Sequence, residues 1–351
     1  MSLKTAFQGK RVLVTGHTGF KGSWLVLMLR ELGATVAGLS ISEPDNERHA
    51  YYALKVRENL SNPDTAIGDV RSLETYRGLV DAVKPDYVFH LAAQAIVSIS
   101  YRDPLDTITS NVVGVANACE VLRTRDEAIT SVIITSDKCY KNKERAEPYL
   151  EDEEMGGDDP YSASKGAAEL IFHSYVASYF TGRDYPVASG RAGNVFGGGD
   201  WSPNRLVPDC MRDLLEDRAV TIRMPEAVRP WTYVLDILTG YMQLAAGLAD
   251  DAGKYRGSWN FASGETRTVL EICNTLVDAL GRGSVHVDAK AGIGKEAGLL
   301  LIDAHKAAKA LGWTPRQSLD QALRDTAEWY DRQAKGEDMY AYSAAYLREK
   351  Y

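Results

Sequence analysis

Apolar residues in the first half of the chain alternate between short β-branched runs and longer helical stretches, and this alternation predicts the architecture. Residues 11–15, RVLVT, form such a run; a glycine-rich turn follows, then SWLVLMLRELG, whose apolar residues continue until Gly33 stops them. The order repeats with a strand at 35–39, a strand ending near Gly68 and Asp69, a helix over about 72–83, a strand at 86–91, a helix over about 104–123 and a strand at 131–136. A further helix starts at Asp159-Pro160, good first-turn residues, and a strand spans 187–191. Repeated β-α alternation predicts an α/β fold, a doubly wound parallel sheet (Rossmann) with helices on both faces. Beyond it glycine and proline become frequent, and helices over about 207–216, 234–248, 269–280 and 318–333 mix with short strands. The expected division is a dinucleotide-binding domain over 1–193 and a smaller, interleaved C-terminal lobe over 194–351, with about 232–262 returning to the first domain.

Composition narrows the class. The 351 residues are 45% hydrophobic and 25% charged, as in ordinary globular proteins. A net charge of −8 has the wrong sign for gripping nucleic acid, so any bound phosphate has to be met by local groups. Four cysteines at scattered positions match neither a zinc pattern nor a disulfide framework, and no metal is expected. The N-terminus lacks an apolar signal-like stretch and no apolar run reaches membrane-spanning length, so a cytoplasmic protein is the expectation.

The turn after the first strand reads T-G-x-x-G-x-x-G, from Thr15 to Gly22. Gly16, Gly19 and Gly22, with Thr18 and Phe20 between them, would let backbone amides approach a pyrophosphate at the positive end of the following helix. The second strand ends in Ser40 rather than the carboxylate that commonly holds an adenosine ribose, and no arginine follows it to receive a 2′-phosphate. That leaves NAD ahead of NADP. Asp69 and Val70 either meet the adenine edge or cap the next helix.

Tyr161 and Lys165 form a Y-x-x-x-K, four residues apart on one helical face, where an ammonium can stabilise a phenolate and tune it as a proton acceptor. At the end of the strand at 131–136, Ser136, Asp137 and Lys138 set a hydroxyl, a carboxyl and an amine in succession at the edge where parallel sheets bind ligands.

The glycine turn, the HLAAQ stretch at 90–94, SDKCY at 136–140, PYSASK at 160–165 and RAGNVFG at 191–197 together resemble the extended short-chain dehydrogenase/reductases that modify nucleotide sugars. TGHTGFKGSWL, SDKCYKN, GNVFGGGDWSPNRLVPD and VRPWTYVLD are similar to their 4,6-dehydratase branch, over nearly the whole chain. The resemblance implies NAD as cofactor, contacted also by Leu91, Ala92, Ala93, Tyr161 and Lys165. It implies a nucleotide-diphosphate sugar as substrate, CDP-glucose first, held by Gln94, Asn194, Arg205 and Arg229. Tyr161 would take the proton of the sugar 4-hydroxyl, Ser136 would bond the same oxygen, and Lys165 would hold the nicotinamide ribose. Asp137 is then the candidate acid for water loss, and Lys138 either the base for the C5 proton or a substrate contact. A homodimer or higher oligomer is also implied. The competing readings are a 4-epimerase or reductase on the same fold, and a non-catalytic dinucleotide binder, which would have no need of a tuned phenol.

Overall fold

The computed structural model describes residues 2–288 and 299–351. Its central sheet contains β1 (Arg11–Thr15), β2 (Thr35–Leu39), β3 (Tyr87–His90), β4 (Thr130–Ile134) and β5 (Val187–Ala192). A sixth strand, Gly257–Phe261, comes from the second half of the chain and pairs with β5. The order is β2-β1-β3-β4-β5 and then Gly257–Phe261, every pair parallel. All six carboxyl ends therefore lie along one edge, where a doubly wound sheet binds its ligand.

Strand alternation sends side chains to two cores. Val12, Val14, Val36 and Val132 face one layer, built largely from the helices Phe20–Glu31 and Val234–Asp250. Leu13, Ala37, Val88 and Ile133 face the other, with Leu73–Val83, Gly114–Arg123 and Pro160–Tyr175. With both faces covered, the strands read as nearly continuous apolar runs.

Two expected elements differ. The strand anticipated to end near Gly68 and Asp69 is reduced to isolated bridges, Val36 with Leu60 and Ser40 with Ile67. Between them the amide of Asn62 takes the place of a backbone partner, accepting from Gly38 N at 2.9 Å and donating to Gly38 O at 3.0 Å. The helix expected over 104–123 is Pro104–Ile108, a π-turn at Thr109–Val113, then Gly114–Arg123. The π-turn carries Asn111, buried, whose side chain bonds Ser164 Oγ at 2.8 Å and both backbone groups of Gln94.

The rest of the second half forms a three-stranded sheet, ordered Thr266–Thr268, Val228–Tyr233, Asn194–Phe196, and a parallel pair, Ala219–Ile222 with Ser284–Val287. Helices Leu206–Leu215, Val269–Leu280 and Leu319–Ala334 pack beside them. A last helix, Met339–Lys350, returns to the Phe20–Glu31 helix, with Arg348 bonded to Glu31 at 2.6 Å. No helix among the described residues is long and apolar enough to cross a membrane.

Trp329 fastens this return. Its indole donates to Ser343 Oγ at 2.9 Å, its ring lies 6.3 Å from that of Trp24, and a β-carbon on Gly198 would overlap it. Trp329→Ala is expected to lower unfolding free energy by about 3–5 kcal/mol in chemical denaturation; a loss under about 1 kcal/mol would contradict this packing account.

Candidate active site

The glycine turn is built on close backbone approach. Gly16 has φ +75°, and a β-carbon on it would lie 2.7 Å from Ala92 N. On Gly22 a β-carbon would overlap Gly16 O, so the helix can sit on the turn only with glycine there. Gly19 caps the helix without a side-chain bond, and Phe20 begins it. The first-turn amides thus remain at the positive helix end beside β1 and β3. Thr18 N donates to Ser40 Oγ at 3.2 Å, and Ser40 Oγ bonds His17 Nδ1 at 3.0 Å. Ser40 therefore braces the turn. His17 Nε2 is buried without a partner, and burial lowers the ring to about pKa 4. Leu91, Ala92 and Ala93 follow β3 next to this turn, with Leu91 N bonded to Thr15 O at 3.0 Å. A cradle closed to a β-carbon at Gly16 and Gly22, with uncapped helix amides, has the donor set and shape for a dinucleotide pyrophosphate.

Asp69 does not cap the next helix; Ser72 does, accepting from Thr75 N. Asp69 instead accepts from Arg71 N and Nε, both at 2.8 Å, and Arg71 reaches Asp106 at 2.6 Å. Val70 is buried beside it. The amide of Gln94 is already engaged, bonding Ile96 N and O in its own loop and Thr107 Oγ1 in the helix Pro104–Ile108.

After β4 the chain makes a short 3-10 turn, Asp137–Cys139. Ser136 Oγ donates to Asp137 Oδ1 at 2.9 Å and accepts from Lys138 N at 3.2 Å. Asp137 is buried and faces Gly193, whose β-carbon would meet Oδ2 at 3.3 Å. Burial lifts its carboxyl above the usual range, against the pull of Lys138, Ser136 and Lys21. Lys138 is half-buried. Opposite, Asp159 caps the helix Pro160–Tyr175 by accepting from Ser162 N, with Pro160 in the first turn. Tyr161 and Lys165 are both buried on it, the Lys165 Nζ 5.9 Å from the Tyr161 ring centre. Burial raises the Tyr161 phenol, while a hydrogen bond with Ser136 and the charge of Arg205 act to lower it. Burial lowers the Lys165 ammonium to about pKa 8, with Cys139 and Glu169 opposing.

The second half supplies the far wall. Asn194 begins the Asn194–Phe196 strand opposite Trp231. Arg205 precedes the Leu206–Leu215 helix, 3.7 Å from Asp200 and within electrostatic reach of Tyr161 and Lys21. Arg229 sits in Val228–Tyr233 directly across the antiparallel ladder from Arg267, whose guanidinium lies 3.9 Å from both Glu265 and Asp320.

Sequence reasoning missed Lys21. It is the one cation in the otherwise apolar first turns of FKGSWLVLML, and that isolation was its signal. Its Nζ stands 5.9 Å from the Tyr241 ring centre, and burial, then Arg205 and Lys165, lower it to about pKa 7. Tyr241, whose buried hydroxyl lacks a partner, lies within electrostatic reach of Asp137 and Tyr161. Asn111, in the π-turn, was missed too.

These features belong to one class. The sequence profile described as GDP-mannose 4,6 dehydratase matches residues 13–326, and the chain belongs to that family, within the extended short-chain dehydrogenase/reductases. It is a family of dehydratases, and the chain is an enzyme of the hydro-lyase class. Among its relatives, CDP-glucose 4,6-dehydratase of Salmonella typhimurium is 40% identical over 343 residues, covering 96% of this chain and 94% of that protein. Of solved structures, dTDP-glucose 4,6-dehydratase from Bacillus anthracis in complex with NAD superposes with a TM-score of 0.75 at 20% identity, covering 93% of this chain and 98% of that one. UDP-glucose 4-epimerase from Thermus thermophilus, also a complex with NAD, gives 0.73 at 26% identity, covering 91% and 98%.

Lys21 carries a stability signature. Its folded value of about 7 lies below the free value of 10.5, so between them the unfolded chain holds a proton that the folded chain lacks. Folding stability from this position therefore rises with pH across that window. Lys21→Met is expected to stabilise the protein most at the lower end and progressively less toward the upper end, in denaturant titrations at both. A pH-independent difference would contradict the burial of this ammonium.

Proposed function

We propose that the protein is an NAD-dependent 4,6-dehydratase acting on CDP-glucose, yielding CDP-4-keto-6-deoxyglucose and water. The observation that carries the reading is the buried carboxyl of Asp137, bonded to Ser136 and beside Tyr161, with its pKa raised by burial. Epimerisation at C4 needs no acid of this kind; expelling a hydroxyl does. The relation to the Salmonella CDP-glucose 4,6-dehydratase supports the choice of base and sugar. The NAD complexes of the B. anthracis and T. thermophilus proteins support the cofactor.

When bound, NAD supplies a hydride acceptor for C4 and a donor for C6. Gly16, Thr18, Gly19, Phe20 and Gly22 would hold its pyrophosphate, Asp69 and Val70 would meet the adenine edge, Leu91, Ala92 and Ala93 would line its groove, and Lys165 would hold the nicotinamide ribose. Tyr161 accepts the proton of the sugar 4-hydroxyl, helped by Lys165 and by Ser136, which bonds the same oxygen. The resulting 4-ketone acidifies C5. Lys138 takes the C5 proton, Asp137 gives its proton to the 6-hydroxyl, and water departs. Lys138 returns its proton to C5 as C6 is reduced. At the end Tyr161 holds one proton more and Asp137 one fewer; Ser136, bonded to Asp137 and acting on the Tyr161 phenol, is the short path that restores them.

Arg205 and Arg229 meet the diphosphate, with Asn194 at the rim and Gln94 shaping the loop behind the sugar. Exposed Tyr101, Leu105 and Leu170, on helices Val97–Arg102, Pro104–Ile108 and Pro160–Tyr175, provide an apolar face for pairing with a second copy.

Incubation with CDP-, dTDP-, GDP- and UDP-glucose should give the alkali-induced absorbance of a 4-keto-6-deoxy sugar with CDP-glucose foremost. Tyr161→Phe should lower kcat by about 10²–10⁴-fold, and Lys138→Ala should suppress exchange of the C5 proton with solvent. A C4 epimer in place of the keto sugar would overturn the dehydratase reading. Unchanged C5 exchange in Lys138→Ala would leave Lys138 as a substrate contact.

A further inference from the structure

The helix bearing Tyr161 and Lys165 carries a third ionisable side chain that the proposed chemistry does not use. Glu169 follows Lys165 by four residues and Tyr161 by eight, on one helical face, and is completely buried. One carboxylate oxygen accepts from Thr135 Oγ1 at 2.5 Å. The other accepts from Arg191 Nη2 at 2.6 Å, Ser189 Oγ at 3.1 Å and Ser258 Oγ at 3.2 Å. Arg191, equally buried in β5, donates through Nη1 to Tyr140 Oη at 2.6 Å and to Glu151 O at 2.8 Å.

The partners of this ion pair bracket the catalytic turn. Thr135 immediately precedes Ser136. Tyr140 follows the turn containing Asp137 and Lys138 and closes it, its amide bonding Asp137 O at 3.2 Å. The Tyr140 hydroxyl continues to Asn260 Oδ1 at 2.8 Å, anchoring that end to the sixth strand. One buried pair therefore links the segment 135–140, at both ends, to the helix of Tyr161 and Lys165.

We propose that Glu169 and Arg191 are positioning residues that hold Ser136, Asp137 and Lys138 in register with Tyr161 and Lys165. The proposal rests on the dehydratase reading above, in which an acid, two proton acceptors and a bridging hydroxyl must address one sugar together. Short, charge-assisted bonds between fully buried groups allow little play, and misplacement by a fraction of an ångström is enough to slow a reaction of this kind. Burial alone would raise the Glu169 carboxyl, but Arg191 and Thr135 outweigh it and hold it below its usual value, so the pair stays ionised.

Thr135→Val separates positioning from folding, because it removes one bond while keeping the ion pair and the β-branched shape. Its kcat should fall about tenfold or more, with KM within about twofold and thermal unfolding little changed. Thr135→Ser, which keeps the hydroxyl, should recover most of the rate. The second readout needs no turnover: the Tyr161 Cζ resonance in ¹³C-tyrosine-labelled protein, assigned by its loss in Tyr161→Phe. The charged and titratable groups facing this phenol are Asp137, Asp159, Lys165, Arg205 and Tyr241. Thr135→Val alters none of them, so an upward shift of the Tyr161 midpoint reports displacement of Ser136. Wild-type kcat and an unchanged midpoint in Thr135→Val would overturn the proposal. If the unaltered protein dehydrates no nucleotide sugar, the functional reading fails. The titration then decides the positioning claim alone, a shift supporting it and no shift overturning it.

Discussion

Two opposite charges, Glu169 and Arg191, lie wholly inside this protein, and much of its active region is arranged around them. Removing a carboxylate and a guanidinium from water is expensive unless their lone pairs and protons are nearly all satisfied. All but the Arg191 Nε proton are met here, which recruits Thr135 after β4, Ser189 in β5, Ser258 in the sixth strand, Tyr140 after the Asp137–Cys139 turn and Glu151 beyond it. Strands contributed by both halves of the chain are thereby tied to the helix carrying the phenol. The carboxyl edge of the sheet becomes a fixed surface on which proton donors and acceptors can be placed.

The same edge explains how an acidic chain can accommodate a highly charged ligand. Net charge of −8 does not govern the groove, because its cations are local: Lys21 and Lys165 within, Arg205 and the facing Arg229 and Arg267 on the far wall. The cost of burial lowers the Lys21 and Lys165 ammonium groups even though Asp137 and Asp200 act to raise the first and Glu169 the second. An anion arriving at this groove relieves part of that cost, which favours a nucleotide-diphosphate sugar over a neutral one.

Elements set by local pattern were legible in the sequence. The strand RVLVT, the three glycines after it, Asp159-Pro160 as a helix start and the four-residue spacing of Tyr161 and Lys165 all occur where periodicity and capping place them. What escaped was set by tertiary contact. The segment near Gly68 pairs only in isolated bridges because Asn62 occupies the edge of β2 with its side chain, which no hydrophobic pattern reveals. The helix over 104–123 contains a π-turn because Asn111 is drawn to Gln94 and Ser164. Glu169 in AAELIF and Arg191 in VASGRA were visible only as charges among apolar neighbours, and their meeting required the fold. The candidate roles of Asp137 and Lys138 rest on their place directly after Ser136 at the end of the strand, once the family's chemistry calls for an acid and a base. The geometry adds that Asp137 is buried and bonded to Ser136.

The central claim is that one site oxidises, dehydrates and reduces a single bound sugar. It is tested most directly by converting CDP-glucose carrying deuterium at C4 in ordinary water and locating the label in the product by NMR. The account predicts deuterium at C6 of CDP-4-keto-6-deoxyglucose, moved within the same molecule, with none remaining at C4. Deuterium retained at C4 of a hexose product, or lost to solvent before reaching C6, would contradict it.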